Sequence, residues 1–330
     1  MIRNWFPCFA NARRLAGVFV LCWASLLGLN GCALILPQTS DLHDKLPEGL
    51  PERVEMKDVP FFPQEDYQCG PAALATALAH FQPRVTADQL VDQVYLPARQ
   101  GSLQVEMLAA ARRNGMVAYA LAPKFEDVLR EVAGGLPVIV LQDYGVWPVS
   151  VWHYAVVVGY DYPRLEVILR SGQNPRLPMP FGVLEYTWKE SDYWAMVAAP
   201  PDRVPSTATE PRYLSAVTAL ERTGNARAAN TAYASALRRW PQNLAALIGL
   251  GNTHHSLNEL ERAEAALRRA LELDANSAIV LNNLAQTLAD RGLYDEALAL
   301  ITRADDQGGP QAGAVRETRD EIQRRLARSR

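Results

Sequence analysis

Hydrophobic and polar positions change rhythm several times along this chain. Leu15–Leu36, reading LAGVFVLCWASLLGLNGCALIL, runs without a single charge. Residues 37–54, PQTSDLHDKLPEGLPERV, are polar, rich in proline and aperiodic, the pattern of a tether. From Met56 to Pro200 apolar residues recur first at helical spacing, over Gly70–Phe81, Leu103–Asn114 and Lys124–Ala133. They then gather in β-branched and aromatic runs, Leu136–Gln142, His153–Tyr160, Leu165–Leu169 and Tyr193–Ala198, each of which predicts a strand. Helices followed by strands predict an α+β domain with an antiparallel sheet. PPDRVPSTATEP, from Pro200 to Pro211, predicts a linker.

The last third repeats itself. In a frame of about 34 residues set on Glu210, Leu244 and Ala278, small residues recur as Ala229, Ala263 and Ala297. They recur again, seven positions later, as Ala236, Ala270 and Ala304, with Tyr233, Leu267 and Ile301 between them. Pro241 closes the first unit. Two helices per unit, with small residues where they cross, is the TPR pattern, so three repeats in an all-α superhelix are expected. The stretch from Ala314 to Arg330 is polar on most faces and predicts a cap helix with a solvated basic end.

Arg3, Arg13 and Arg14 precede the apolar run near the start, the layout of a secretory signal. Leu29-Asn30-Gly31-Cys32 resembles the bacterial lipobox, which implies cleavage before Cys32 and a lipid on it. The competing reading is an uncleaved anchor helix. Either places the rest outside the cytoplasm and at a membrane. Ala33 follows the cysteine where an inner-membrane retention signal carries aspartate. The expected location is therefore the outer membrane facing the periplasm, with inner-membrane anchoring as the alternative. The expected division is 1–31 leader, 32–55 tether, 56–200 catalytic domain, 201–211 linker, 212–311 three repeats and 312–330 cap helix. A net charge of −3 gives no footprint for nucleic acid. Neither a Walker-type loop nor a Rossmann fingerprint is present, so no cofactor is expected.

Of four cysteines, Cys8 and Cys22 leave with the leader and Cys32 takes the lipid, so Cys69 stands alone. An unpaired thiol in a disulfide-permissive compartment marks a reactive group. Cys69 sits just before a helix whose first turn holds Pro71, so free amides and the positive dipole end face the sulfur. Such a setting lowers a thiol pKa, especially beside an imidazole. Five histidines are available. His80 lies about 16 Å along the same helix at 1.5 Å per residue. His43 falls in the tether, and His254 and His255 fall in the repeats. His153, on the strand HYAVVVGYD, remains as the base. One Cys and one His are too few to ligate zinc.

PFFPQEDYQCGPAAL, residues 60–74, resembles the active-site segment of the double-glycine peptidases, which include the domains that trim bacteriocin leaders. The likeness is carried by Gln64, by Cys69-Gly70-Pro71-Ala72 and by His153-Tyr154-Ala155-Val156. It implies a papain-like cysteine peptidase fold, with Gln64 helping to form the oxyanion hole and an aspartate orienting the histidine. No such aspartate is evident. Asp161 is about 26 Å along the strand. A hairpin pivoting at Tyr162 sets Ser171 opposite His153, with Asn174 as the other candidate orienter.

The reading that follows is a membrane-anchored cysteine peptidase acting on a peptide or protein substrate through a thiolate–imidazolium pair. Its repeats recruit a protein partner. Two alternatives use the same residues: a weak or inactive adaptor that binds peptides, and an acyl or amide transferase. The walls of the substrate groove are expected from Asp143–Ser150 and Gly172–Phe181.

Overall fold

The computed structural model describes residues 36–64, 68–146 and 148–329. The expected leader and Cys32 lie outside the described residues. Where a tether was expected, residues from Pro37 onward belong to the fold. Helix α1 (Pro37–Asp44) buries Leu42, and strand β1 (Arg53–Glu55) pairs with Gly159–Asp161. Periodicity cannot reveal a helix that buries one side chain. A fully buried carboxylate holds it instead: Glu185 accepts the amides of Gln38 and Thr39 at 3.1 and 2.6 Å. Negative charge at a helix N-terminus is favourable, the more so when buried.

The three expected helices are α2 (Cys69–Ala79), α4 (Gln104–Arg113) and α5 (Phe125–Ala133), with α3 (Asp88–Val94) before α4. Short strands β2 (Tyr95–Leu96) and β3 (Gly101–Ser102) form a hairpin between α3 and α4. The main strands are β4 (Val117–Ala120), β5 (Val138–Asp143), β6 (Trp152–Asp161), β7 (Glu166–Ser171), β8 (Asn174–Pro180) and β9 (Ala195–Ala199). They form an antiparallel sheet in the order β4-β9-β5-β6-β7-β8. Helix α6 (Phe181–Trp188) lies between β8 and β9 in the chain. The α+β expectation holds, but helices and strands are interleaved rather than segregated.

The missed elements have physical explanations. β8 carries Pro175, Pro178 and Pro180, which a strand tolerates only where one side of its ladder is unpaired, and β8 is the sheet's edge. α6 reads FGVLEYTW, poor in helix formers, yet Phe181, Leu184 and Trp188 are all fully buried at i, i+3 and i+7. Tertiary packing outweighs propensity there.

Helices α7 (Glu210–Glu221), α8 (Ala226–Arg239), α9 (Leu244–Ser256), α10 (Leu260–Leu273), α11 (Ala278–Asp290) and α12 (Tyr294–Gln307) make three antiparallel pairs, closed by α13 (Ala312–Ser329). The first helix of each pair begins on a frame residue: Glu210, Leu244, Ala278. All six repeating alanines are buried, and so are Tyr233, Leu267 and Ile301. The crossing is tight. A Cβ on Gly249 would stand 2.3 Å from the Tyr233 ring, and one on Gly251 would stand 2.6 Å from Leu267 Cγ. α13 buries Val315 and Ile322 against the last pair, where Arg319 and Arg325 reach Asp305 and Asp290, and leaves Arg316, Arg324 and Arg328 outward.

The expected linker is docked as well. Glu131, fully buried on α5, accepts the amides of Ser206 and Thr207 at 3.1 and 2.6 Å. Arg239 donates to the Pro205 and Ser206 carbonyls at 2.7 and 3.1 Å. α7 packs on β4, so one hydrophobic core runs from the sheet into the first repeats. Replacing Glu131 with Ala leaves two buried amides without an acceptor. It should lower unfolding stability by about 2 kcal/mol, read as a shift of the urea midpoint. A shift below ~0.5 kcal/mol would show that the segment docks without this carboxylate.

Candidate active site

The helix that presents Cys69 has no polar face. Every residue from Gly70 to Ala79 is buried, and α2 packs on β6 and β5. Its N-cap, Gln68, makes no side-chain cap hydrogen bond, so the first-turn amides stay available. The amides of Cys69, Gly70 and Tyr154 point at the sulfur. Gly70 is required by the close approach of β3: a Cβ there would lie 2.2 Å from Ser102 Oγ. The Tyr154 hydroxyl donates to the Ser102 carbonyl at 3.2 Å and ties that hairpin to β6.

Cys69, His153 and Gln64 line one cleft of about 880 Å³. Its walls are Arg99–Gln104 on one side and Ser150–Trp152 with Glu190–Asp192 on the other. Among the described residues of the expected wall segments, Ser150 and Gly172 alone contribute. The Gln64 carboxamide bridges two strands, donating to the Tyr154 carbonyl at 3.1 Å and accepting from the Gly172 amide at 3.1 Å. Its backbone adds a hydrogen bond to the Gly172 carbonyl at 3.0 Å. Among the described residues, no cluster of three or more His, Cys, Asp or Glu could hold a metal ion.

Residues 56–173 match the model of the Peptidase_C39 like family, and 214–278 with 257–312 match the tetratricopeptide repeat model. The chain joins a Peptidase_C39-like domain to tetratricopeptide repeats. The domain continues past the matched segment, because β9 fills the sheet between β4 and β5. No curated protein matches the chain. Among solved structures, the type III secretion translocator chaperone SycD of Yersinia enterocolitica is similar at 15% identity and a TM-score of 0.33. The match covers 35% of this chain and 92% of that one.

Within the Peptidase_C39-like domain, Ser171 is brought to His153, and Asn174 is not. His153 Nε2 and Ser171 Oγ are 2.8 Å apart, whereas Asn174 is exposed at the start of β8. Ser171 is not directly opposite, as a simple hairpin would have it. The hairpin turns through Tyr162–Arg164 with Leu165 at φ 52°, and the register shifts between Val157 and Gly159. Val156 then pairs with Arg170, and Ser171 meets His153 diagonally on the same face.

A line of neutral groups stands behind the ring. The Thr187 hydroxyl donates to the carbonyls of Val183 and Leu184, both at 3.1 Å, so it accepts from Gln142 Nε2 at 2.7 Å. That fixes the Gln142 amide and turns Oε1 toward Tyr144, whose hydroxyl donates to it at 3.1 Å. Ser171 holds the Nε2 side of the ring, its Oγ 2.8 Å from that nitrogen, and lies close enough to Tyr144 to act on its hydroxyl. With the ring proton on Nε2, directed at Ser171, Nδ1 is left as the proton acceptor. The Tyr144 ring also stacks on the imidazole, centroids 5.0 Å apart at 23°.

Sequence reasoning missed Gln142, Tyr144 and Ser102. Pairing β5 with β6 would have found the first, since Gln142 is the cross-strand partner of His153. The expected ionised pair is also corrected. Burial pushes the Cys69 thiol up despite the three amides. Burial likewise pushes the His153 imidazole down to about 4. Both groups rest uncharged at neutral pH, because burial strips them of water and, among the described residues, no carboxylate offsets it at the ring. The nitrogen resonances of His153 should report a proton on Nε2 in the native protein and a mixture of tautomers in Tyr144→Phe. Identical spectra would mean that Tyr144 does not fix the tautomer.

Proposed function

We propose that the chain is a membrane-anchored peptidase of the cell envelope that cleaves peptides or proteins at Cys69, its repeats recruiting a protein partner. One observation carries the reading: a thiol at the head of a buried helix and an imidazole held at Nε2 by Ser171 open onto the same cleft. His153, uncharged above about pH 4, takes the thiol proton at Nδ1 as the sulfur adds to the substrate carbonyl. The Cys69 amide and the second N–H of Gln64 receive the developing oxyanion. The C–N bond then breaks, His153 returns the proton to the leaving amine, and a thioester remains on Cys69. Water adds to the thioester with its proton passing to Nδ1. The C–S bond breaks, the acid departs and the thiol is restored.

The resting pair is neutral, so substrate binding must favour proton transfer, and a slow or substrate-gated enzyme is expected. The same neutrality favours a second reading, an adaptor that binds peptides without turnover. Anchoring is proposed through a lipid on Cys32. The described chain begins at Leu36 against Gly182, beside the half-exposed Val183 and Tyr186 of α6. The outer membrane, facing the periplasm, is the proposed location.

Two measurements test this. Incubated with a proteome-derived peptide library, the native chain should generate new termini, read by mass spectrometry, and Cys69→Ala should generate none. The acid limb of turnover should fall near pH 4 rather than near the ordinary histidine value of about 6.5, because the ring's pKa is depressed and the base is lost only below it. Peptide binding with no new termini would leave the adaptor. Cys32→Ser should release the protein from the membrane fraction and abolish labelling by radioactive palmitate; unchanged fractionation and labelling would refute the anchor.

A further inference from the structure

A second cavity of about 350 Å³ lies at the seam between the Peptidase_C39-like domain and the first repeat, walled by α4, β4 and α7. It holds two guanidinium groups, Arg112 and Arg212, and the Ser215 hydroxyl. Among the described residues neither guanidinium forms an ion pair or a hydrogen bond, and Arg112 Nε is buried without a partner. Its neighbour Arg113 is fully engaged with Gln93, so the vacancy is specific to Arg112. Burial alone lowers the Arg112 guanidinium, with no carboxylate contributing. A buried, unpaired guanidinium donor is costly unless something accepts from it.

We propose that this seam binds a small carboxylate carried on a short apolar stem, of the kind a free peptide C-terminus with an aliphatic side chain presents. The guanidinium fork of Arg112 matches a carboxylate in two parallel hydrogen bonds, which a lysine could not reproduce. Arg212, exposed at the mouth, adds charge attraction. The remaining wall is mainly apolar, with Leu108 and Ala219 facing the space, and the cavity is several times the size of a bare oxyanion group. The guanidinium fork also fits phosphate, but phosphate makes no use of the apolar wall, so a carboxylate on an aliphatic stem is the better match. The site joins α4, whose first residue lines the catalytic cleft, to α7, the first helix of the repeats. Its occupant therefore touches both units at once.

Calorimetry on the full chain with N-acetylleucine, N-acetylleucinamide and inorganic phosphate tests the proposal. N-acetylleucine should bind at least about tenfold more tightly than either control. Arg112→Gln should weaken it by about tenfold or more, while leaving amide binding unchanged. Ala219→Leu, which fills the cavity without touching the charge, should have the same effect if Arg112→Gln does not fold. Equal affinity for acid and amide would overturn the proposal. So would tighter binding of phosphate, an Ala219→Leu variant that binds as the native chain does, or no heat with N-acetylleucine at millimolar concentration. None of these outcomes bears on Cys69, so failure here leaves the peptidase reading standing.

Discussion

The burial of one helix on every side is the constraint from which the site follows. α2 contributes nothing polar from Gly70 to Ala79 beyond Thr76, and it is enclosed by the sheet, α3 and α4. An all-apolar helix has a single stable place in a domain, the interior. Its N-terminus, where backbone amides have no partners, must then emerge where the core meets a cleft. Cys69 stands at that point. The same burial that fixes the sulfur in place also strips water from it and from His153. Strong positioning and neutral resting groups are thus two results of one packing decision.

A carboxylate behind the histidine would offset that desolvation, and this chain uses hydroxyls and an amide instead. Thr187, Gln142, Tyr144 and Ser171 stand in a line behind the ring, its hydrogen-bond polarity set from the α6 backbone as far as Tyr144. Neutral groups can hold a tautomer, since that needs only directed donors and acceptors. They stabilise a positive ring much less, since that needs charge. The arrangement orients the imidazole without giving it charge support.

Both flanks of the domain are held by buried carboxylates that accept pairs of backbone amides. Glu185 clasps the start of α1, and Glu131 clasps the segment leading into α7. Each charge is satisfied by two donors, which is what makes full burial tolerable. The repeats are consequently an extension of the domain core rather than a module on a string. A partner bound to them is held at a fixed orientation to the cleft.

Some of this was legible in the residues alone. The repeat frame was, because identical local geometry demands small side chains at the same positions in every unit. Helix α2, strand β6 and the roles open to Cys69 and His153 were also legible, because periodicity and helix-end chemistry are local properties. Ser171 was reached by counting, although the true contact is diagonal, since a register shift inside β6 cannot be read from a hairpin count. Gln142, Tyr144, the docking of residues 37–55 and 201–209, and the neutral state of Cys69 and His153 were decided by tertiary structure. Each depends on which groups from distant parts of the chain share a buried space. Desolvation and cross-strand contact are properties of that space and not of any stretch of sequence.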